Sequence, residues 1–398
     1  MTKMGNIENQ GWPTFARVHQ APPLPNRLHA TLLAVQKKGR RILDLTISNP
    51  SQAGIPLPLE MLQQAWMEAL QQPYSPDPRG AIQAREAIST YYSEVGQSVA
   101  PQDILLTAST SEAYSLCLKL FSEPGQEALV PSPSYPLLED LCQLEGVLCK
   151  RYSLDRIDEK WRLPDPLPVS KAVRVLLTVN PNNPTGSILS PTDWTLVREY
   201  AAKHQSLIIC DEVFSDFRYP DWQSQSPHNE GLPLVRLNGI SKLAGLPQLK
   251  LAWLVVDGPA NFRQATLERL ECLEDSYLSL NTPVQCLLPE ILAHREQFQA
   301  PIRRRIADNR DLGEHLLRDS SAQFLAPEAG WNALIRLPRI RSDEEWALEL
   351  LRERSVLVHP GYLFDFREEG FIAISLLTPE DDFREGLQEI LGTLEVTT

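Results

Sequence analysis

Apolar positions change their spacing along this chain, and the changes sort it into parts. Residues 1–30 are Pro-rich and carry no period, which predicts an irregular arm lying over another surface. Residues 31–38 suit a short helix stopped by Gly39, and residues 42–47 a strand that exits through Ser48-Asn49-Pro50. Leu59, Leu62, Ala65, Trp66 and Ala69 recur at helical spacing and predict a helix over residues 58–70. Pro73-Tyr74-Ser75-Pro76-Asp77-Pro78-Arg79-Gly80 is too proline-dense for helix or sheet, because each ring fixes φ and removes a donor. A helix over residues 81–95 follows.

The middle of the chain alternates two periods. Strand-like runs lie at 103–107, 128–130, 147–152, 173–179, 207–210, 234–237 and 251–256. Between them, Ala113, Leu116, Cys117 and Leu120 share one face of a helix over 111–120, and Ser190-Pro191-Thr192-Asp193 opens a helix that runs to about 203. Such alternation predicts an α/β fold with a mostly parallel sheet covered by helices. From about residue 289 the pattern changes to an arginine-rich helix at 301–318 and a strand at 331–337. A helix over 342–354 follows, with Ser342 and Glu345 as a capping box, then two more strands and a last helix near 382–391. That order predicts a smaller α+β domain. The expected division is a large domain over 51–288 and a small one built from 1–50 and 289–398.

Composition narrows the class. With 398 residues, 42% hydrophobic and 22% charged, the chain can bury a large core, and a net charge of −13 argues against nucleic acid and anionic membranes as partners. No run of eighteen apolar residues occurs and residues 1–10 are polar, so the expected location is the cytoplasm, with no signal peptide and no membrane span. Cys117, Cys142, Cys149, Cys210, Cys272 and Cys286 form no C-x-x-C pair and read as reduced core thiols, with no metal site.

Open α/β sheets bind ligands beyond the carboxyl ends of their strands. After Thr107 the chain places Ala108-Ser109-Thr110-Ser111, small residues that suit either a phosphate at a helix N-terminus or a simple N-cap. After Val130 comes Pro131-Ser132-Pro133-Ser134-Tyr135-Pro136, which could hold an aromatic ring over a flat ligand. Val179 leads into Asn180-Pro181-Asn182-Asn183-Pro184-Thr185-Gly186, and Cys210 into Asp211-Glu212-Val213-Phe214. Lys242 follows the run ending at Leu237, on a Gly- and Pro-punctuated loop, with Lys250 eight positions on. A lysine amine there can form a Schiff base if burial lowers its pKa.

In this order and spacing, these motifs resemble the pyridoxal-phosphate aminotransferases of classes I and II. The resemblance covers essentially the whole chain, including the Tyr74 loop, the Tyr135 loop and His359-Pro360-Gly361-Tyr362-Leu363-Phe364-Asp365-Phe366. It implies the fold-type-I architecture, with a seven-stranded sheet, and a transferase working by two half-reactions. It implies a Schiff base at Lys242, which would later move a proton as a free amine, and an Asp211 carboxylate paired with the pyridine nitrogen of pyridoxal 5'-phosphate. Asn183 would donate to the phenolic oxygen and Tyr135 would stack on the ring; Ser109, Thr110, Ser241 and Lys250 would hold the phosphate. Tyr74 would cross to the phosphate of a second copy, making a homodimer with composite sites, and Asn49 would lie at the substrate. A lyase acting by C–S β-elimination, or a decarboxylase, would use the same machinery, and a non-catalytic regulator would need neither Lys242 nor Asp211.

Three positions depart from the family pattern. Phe214 stands where Tyr is common, which removes a donor to the phenolic oxygen, so the imine nitrogen is expected to keep its proton to higher pH. Lys250 replaces a phosphate-binding Arg, a point charge for a bidentate fork, and Gly239 replaces a hydroxyl residue. Ala373 stands where the family's substrate-carboxylate Arg is expected, so another arginine substitutes or the substrate is not an ordinary α-amino acid. Arg367, Arg336 and Arg17 are the candidates, Arg367 first.

Overall fold

The computed structural model describes residues 26–219 and 231–397; Arg17 and the arm before residue 26 lie outside the described residues. The first helix, α1 (Arg27–Lys37), begins a turn earlier than its periodicity suggests, because the Asn26 side chain accepts the Leu28 N–H at 2.8 Å and caps it. The strand expected over 42–47 contracts to β1 (Leu43–Asp44), whose ladder partner among the described residues is two residues long. Helices α2 (Gln63–Ala69) and α3 (Ile82–Glu94) flank the Tyr74 segment, which forms neither helix nor strand.

The alternating region follows in order: β2 (Ile104–Thr107), α4 (Thr110–Phe121), β3 (Glu127–Ser132), α5 (Leu137–Leu144) and β4 (Leu148–Ser153). A short hairpin, β5 (Asp155–Ile157) and β6 (Lys160–Arg162), was not legible in a charged stretch. Then come β7 (Val173–Val179), α6 (Pro191–His204), β8 (Leu207–Asp211), β9 (Leu234–Gly239), α7 (Ile240–Leu243) and β10 (Ala252–Asp257). The Ser190–Asp193 capping box is formed as expected. Seven strands make one sheet in the order β2-β10-β9-β8-β7-β3-β4, and only β10 runs against its neighbours. The carboxyl ends of β2, β3, β7, β8 and β9 therefore share one edge.

Both faces of this sheet are covered, which is why its strands read as nearly continuous apolar runs. On one face Val130, Leu177, Ile209 and Leu237 pack with Ala113, Leu116 and Cys117 of α4; on the other Leu129, Leu176 and Ile208 pack with Trp194 and Val197 of α6. Helices α8 (Ala260–Asp275) and α9 (Thr282–Ala293) complete the covering.

The chain then enters α10 (Arg295–Leu317). This helix starts six residues before the expected 301 and runs through Pro301, because a buried face of Phe298, Ile302 and Ile306 outweighs one missing backbone bond. It leads to β11 (Gln323–Leu325), β12 (Asn332–Arg336), α11 (Asp343–Glu349), β13 (Val356–Leu357), β14 (His359–Pro360), β15 (Phe371–Ser375) and α12 (Glu380–Thr397). Three strands close the chain rather than two, and residues 350–354 form a π turn after α11. A second, four-stranded antiparallel sheet has the order β11-β12-β15-β14. Its rear face buries Ile335, Ile372 and Ile374 in a core shared with Leu28, Val35, Leu45, Trp346 and Leu387.

All six cysteines are free; Cys117, Cys142 and Cys210 are buried, but Cys272 is exposed, so it is not a core thiol. Among the described residues no helix is long and apolar enough to cross a membrane, and no group of side chains could hold a metal ion.

Candidate active site

Lys242 lies in α7, a four-residue helix, and not on an open loop. The strand-to-helix step is tight. A Cβ at Gly239 would stand 2.8 Å from Ala252 Cβ, so the neighbouring strand leaves no room there for a hydroxyl residue. Gly245, at φ +67°, turns the chain out of the helix beside Pro50, which brings the Asn49 segment against the exit of α7. Asn49 itself accepts from the Ser51 N–H at 3.1 Å and its hydroxyl at 2.9 Å.

The Lys242 amine sits 4.9 Å from the Trp331 ring centre and 5.6 Å from that of Phe214. Phe214 and Trp331 are themselves buried edge to face at 5.5 Å, so both belong to the packed wall of the site. Burial pushes the amine down to about 8, opposed by the Asp211 charge, which favours the ammonium.

Asp211 ends β8 with its side chain on the Ile209 face, the face that α4 covers. It is 6% exposed and both its oxygens are engaged: the Val213 N–H donates to Oδ1 at 3.0 Å and the Tyr114 hydroxyl to Oδ2 at 2.7 Å. Burial raises its pKa, while those two donors and Lys242 oppose the rise. Tyr114, a position the sequence analysis does not single out, thus stands at the candidate site. Its neighbours in the motif gave no signal, because its partner is 97 residues away.

Asn183 Oδ1 accepts from Asn332 Nδ2 at 2.7 Å, which leaves the Asn183 amide free to donate elsewhere. Tyr135 is 36% exposed, and its hydroxyl is held up by burial and by the Asp211 charge, so its ring stands within electrostatic reach of the carboxylate. Ser109 serves as the N-cap of α4, its hydroxyl accepting the Glu112 N–H at 3.2 Å, while Glu112 takes the Ala108 N–H. The Thr110 and Ser241 hydroxyls have no protein partner among the described residues. Lys250 is exposed, at φ +53°. Tyr74 is 76% exposed and lines a small pocket with Glu274, Leu278 and Gln285.

These residues fit pyridoxal phosphate. An amine without an ion pair faces a buried carboxylate, as an aldehyde-bearing pyridine requires, and two hydroxyls and a lysine remain for the phosphate. The side-chain nitrogens of Asn180 and Asn238, at the ends of β7 and β9, are buried without a partner, as donors awaiting a ligand are.

The forward face of the smaller sheet points at this site. Its rows are Asn332–Ser375, Leu334–Ala373 and Arg336–Phe371, counted outward from the Asn183 contact. Ala373 is 1% exposed and packs with Leu325, Leu334, Phe364 and Phe371. Arg336 and Arg367 both line a cleft of about 740 Å³ with Arg156, Arg339 and Trp161; Arg367 is at its exposed rim.

The family described as aminotransferase class I and II matches residues 40–390. An alanine aminotransferase of Mycobacterium tuberculosis is 27% identical over 382 residues, covering 91% of this chain and 88% of that protein. The glutamate-pyruvate aminotransferase AlaA of Escherichia coli is 26% identical over 369 residues, covering 89% and 91%. Among solved structures, an alanine aminotransferase from Pyrococcus furiosus superposes with a TM-score of 0.86 at 22% identity over 93% of this chain and 96% of that one, a likeness of fold. A Thermus thermophilus aspartate aminotransferase double mutant gives 0.84 at 22% identity over 96% and 100%. With a family match over nearly its whole length, the chain belongs to the class I and II aminotransferases and is a pyridoxal-phosphate-dependent transferase.

Proposed function

We propose that Lys242 is the residue that holds the cofactor covalently, and that it then carries the proton at the substrate's Cα. The observation behind this reading is the buried, unpaired amine set between Phe214, Trp331 and the Asp211 carboxylate. An amine held near 8 is unprotonated in about one molecule in ten at pH 7, enough to take a proton and return it. Asp211 accepts the ring nitrogen's hydrogen bond and holds a positive charge there. When bound, the cofactor supplies an electron sink for the pair left on Cα. Asn183 donates to the phenolic oxygen, Tyr135 covers the ring, and Thr110, Ser241 and Lys250 hold the phosphate; Ser109 acts through its cap. Phe214 excludes water and offers no hydrogen bond.

The reaction is transfer of an amino group from an amino acid or amine to a keto acid or aldehyde. Alanine and glutamate are the donors to try first, since the relatives' names point there. Given one donor and no acceptor, the holoenzyme should release keto product once per site and stop. Continuous release of pyruvate and ammonia would instead make it a β-eliminating lyase.

The substrate's carboxylate end is assigned to Arg336, one row beyond Ala373 and about 7 Å farther along β12. Ala373 offers no charge and packs in an apolar cluster, and burial favours the neutral form of its cross-strand neighbour His359, so no cation stands ready for a carboxylate there. Arg336→Ala is expected to raise KM for carboxylate-bearing donors about tenfold to a hundredfold with little change in kcat. An unchanged KM rules Arg336 out and passes the role to Arg367.

The working unit is read as a homodimer in which Tyr74 reaches the partner's phosphate site. Exposed Leu59, Met67 and Leu70, at 48%, 58% and 54%, together with Tyr74 give an apolar surface suited to a second copy. Light scattering should give twice the chain mass, and Met67→Glu with Leu70→Glu should give monomers without activity. The division into 51–288 and the two flanking segments is supported by the core that joins α1 and β1 to α10, α11 and α12. A cytoplasmic location suits an acidic chain whose six thiols are all free.

A further inference from the structure

We infer that Tyr114 is a positioning residue for the cofactor's ring nitrogen, acting through Asp211: its hydroxyl donates to Asp211 Oδ2 at 2.7 Å and keeps that carboxylate ionised and aimed. The inference rests on the reading above that Asp211 meets the ring nitrogen.

The placement follows from register and helix geometry. Asp211 shares a face of β8 with Leu207 and Ile209. Helix α4 covers that face, and Tyr114 stands in its second turn. Side chains on a helix lean toward its N-terminus, which here lies at the carboxyl edge of the sheet, so the phenol is delivered to the end of β8.

Packing alone does not ask for a hydroxyl at this position. Tyr114 is 2% exposed, and Phe would fill the same space without burying a polar group. The hydroxyl's one partner among the described residues is the carboxylate. Burial and the neighbouring Asp211 charge hold the phenol in its protonated form, so toward the carboxylate it is the donor. The groups that face Asp211 are Lys242 from α7, the Val213 N–H, Tyr135 from the loop after β3 and Tyr114 itself, while the adjacent Cys210 points to the opposite face of β8. Of the side chains, only Lys242 and Tyr114 favour its anion. Lys242 would be tied up by the cofactor aldehyde, so in the loaded enzyme Tyr114 is the side-chain donor that remains.

With the cofactor held as proposed, one proton would be shared between Asp211 and the ring nitrogen. A donor on Oδ2 makes the carboxylate less basic and leaves that proton on nitrogen; without the donor the proton moves toward oxygen. No bond to carbon is made or broken in this step.

The test uses the holoenzyme reconstituted with cofactor labelled with nitrogen-15 in its ring. In Tyr114→Phe the ring-nitrogen resonance is expected to move toward that of an unprotonated pyridine, and the cofactor Kd to rise at least about tenfold. 3-Fluorotyrosine at 114, a stronger donor of nearly the same shape, should move the resonance the opposite way; this keeps the test alive should Phe fold poorly. An unchanged resonance and Kd in both variants, with only the melting temperature altered, makes Tyr114 a packing residue and overturns the inference. Wild-type protein whose ring nitrogen is unprotonated overturns the Asp211 reading itself, and this inference with it.

Discussion

Lys242→Ala is expected to leave less than about one part in ten thousand of the wild-type transfer rate, because on the proposed reading it would remove the attachment point and the proton carrier together. Borohydride reduction in the presence of pyridoxal phosphate should fix the cofactor on Lys242 in wild-type protein and on no side chain in the variant. Fixation elsewhere in wild type would end the assignment. The same residue gives a stability signature that needs no cofactor. A lysine lowered from 10.5 to about 8 in the folded state penalises folding wherever the unfolded chain keeps its proton. The penalty is full below about pH 8, shrinks as pH rises from 8 to 10.5, and is gone above 10.5. Cofactor-free Lys242→Met should therefore exceed wild type in stability by about 2 kcal/mol at pH 7 and lose that advantage by pH 11, since partial solvent access trims the full shift. Urea unfolding of both proteins across this range measures it; a gap that does not depend on pH would mean that the amine is not perturbed by its surroundings.

Much of this site could be read from the chain because its parts sit at the ends of consecutive apolar runs. Lys242, Asp211 and Asn183 each follow such a run, and a parallel sheet brings those ends to one edge. The sheet was legible for the same reason: strands buried on both faces announce themselves as apolar stretches. What escaped has a different physical character. Tyr114, Trp331 and Asn332 act through partners far away in sequence, and their local spacing is that of ordinary core positions. The β5–β6 hairpin is mostly charged and no more than half-buried, so burial enforces neither period there, although Trp161 packs on Phe366 and Phe371. Boundaries moved where a cap or a partner strand set them, as with Asn26 for α1 and the two-residue ladder for β1. Gly239 shows the reverse case. Its departure from the family pattern was visible in sequence, but its cause, the approach of Ala252, needed the fold.

Asp211→Asn should slow transfer about a thousandfold, the larger part of it from charge and the rest from hydrogen-bond direction. The aspartate accepts one donor on each oxygen, Val213 N–H and Tyr114 O–H, and on the proposed reading its remaining lone pairs would meet the ring nitrogen. Asparagine has a single acceptor oxygen, so one of those two donors would face an N–H and lose its bond. It also carries no charge to hold a proton on the ring nitrogen. Relief from burying a carboxylate offsets part of the lost bonding, so the melting temperature should change little while the rate collapses. The charge is felt at Lys242 as well: Asp211 favours the ammonium, so in cofactor-free Asp211→Asn the lysine should titrate below its wild-type midpoint of about 8. Nitrogen-15 NMR of labelled Lys242 reads that midpoint directly. A rate within tenfold of wild type, or a lysine midpoint that rises, would show that this carboxylate is not the partner of the ring nitrogen.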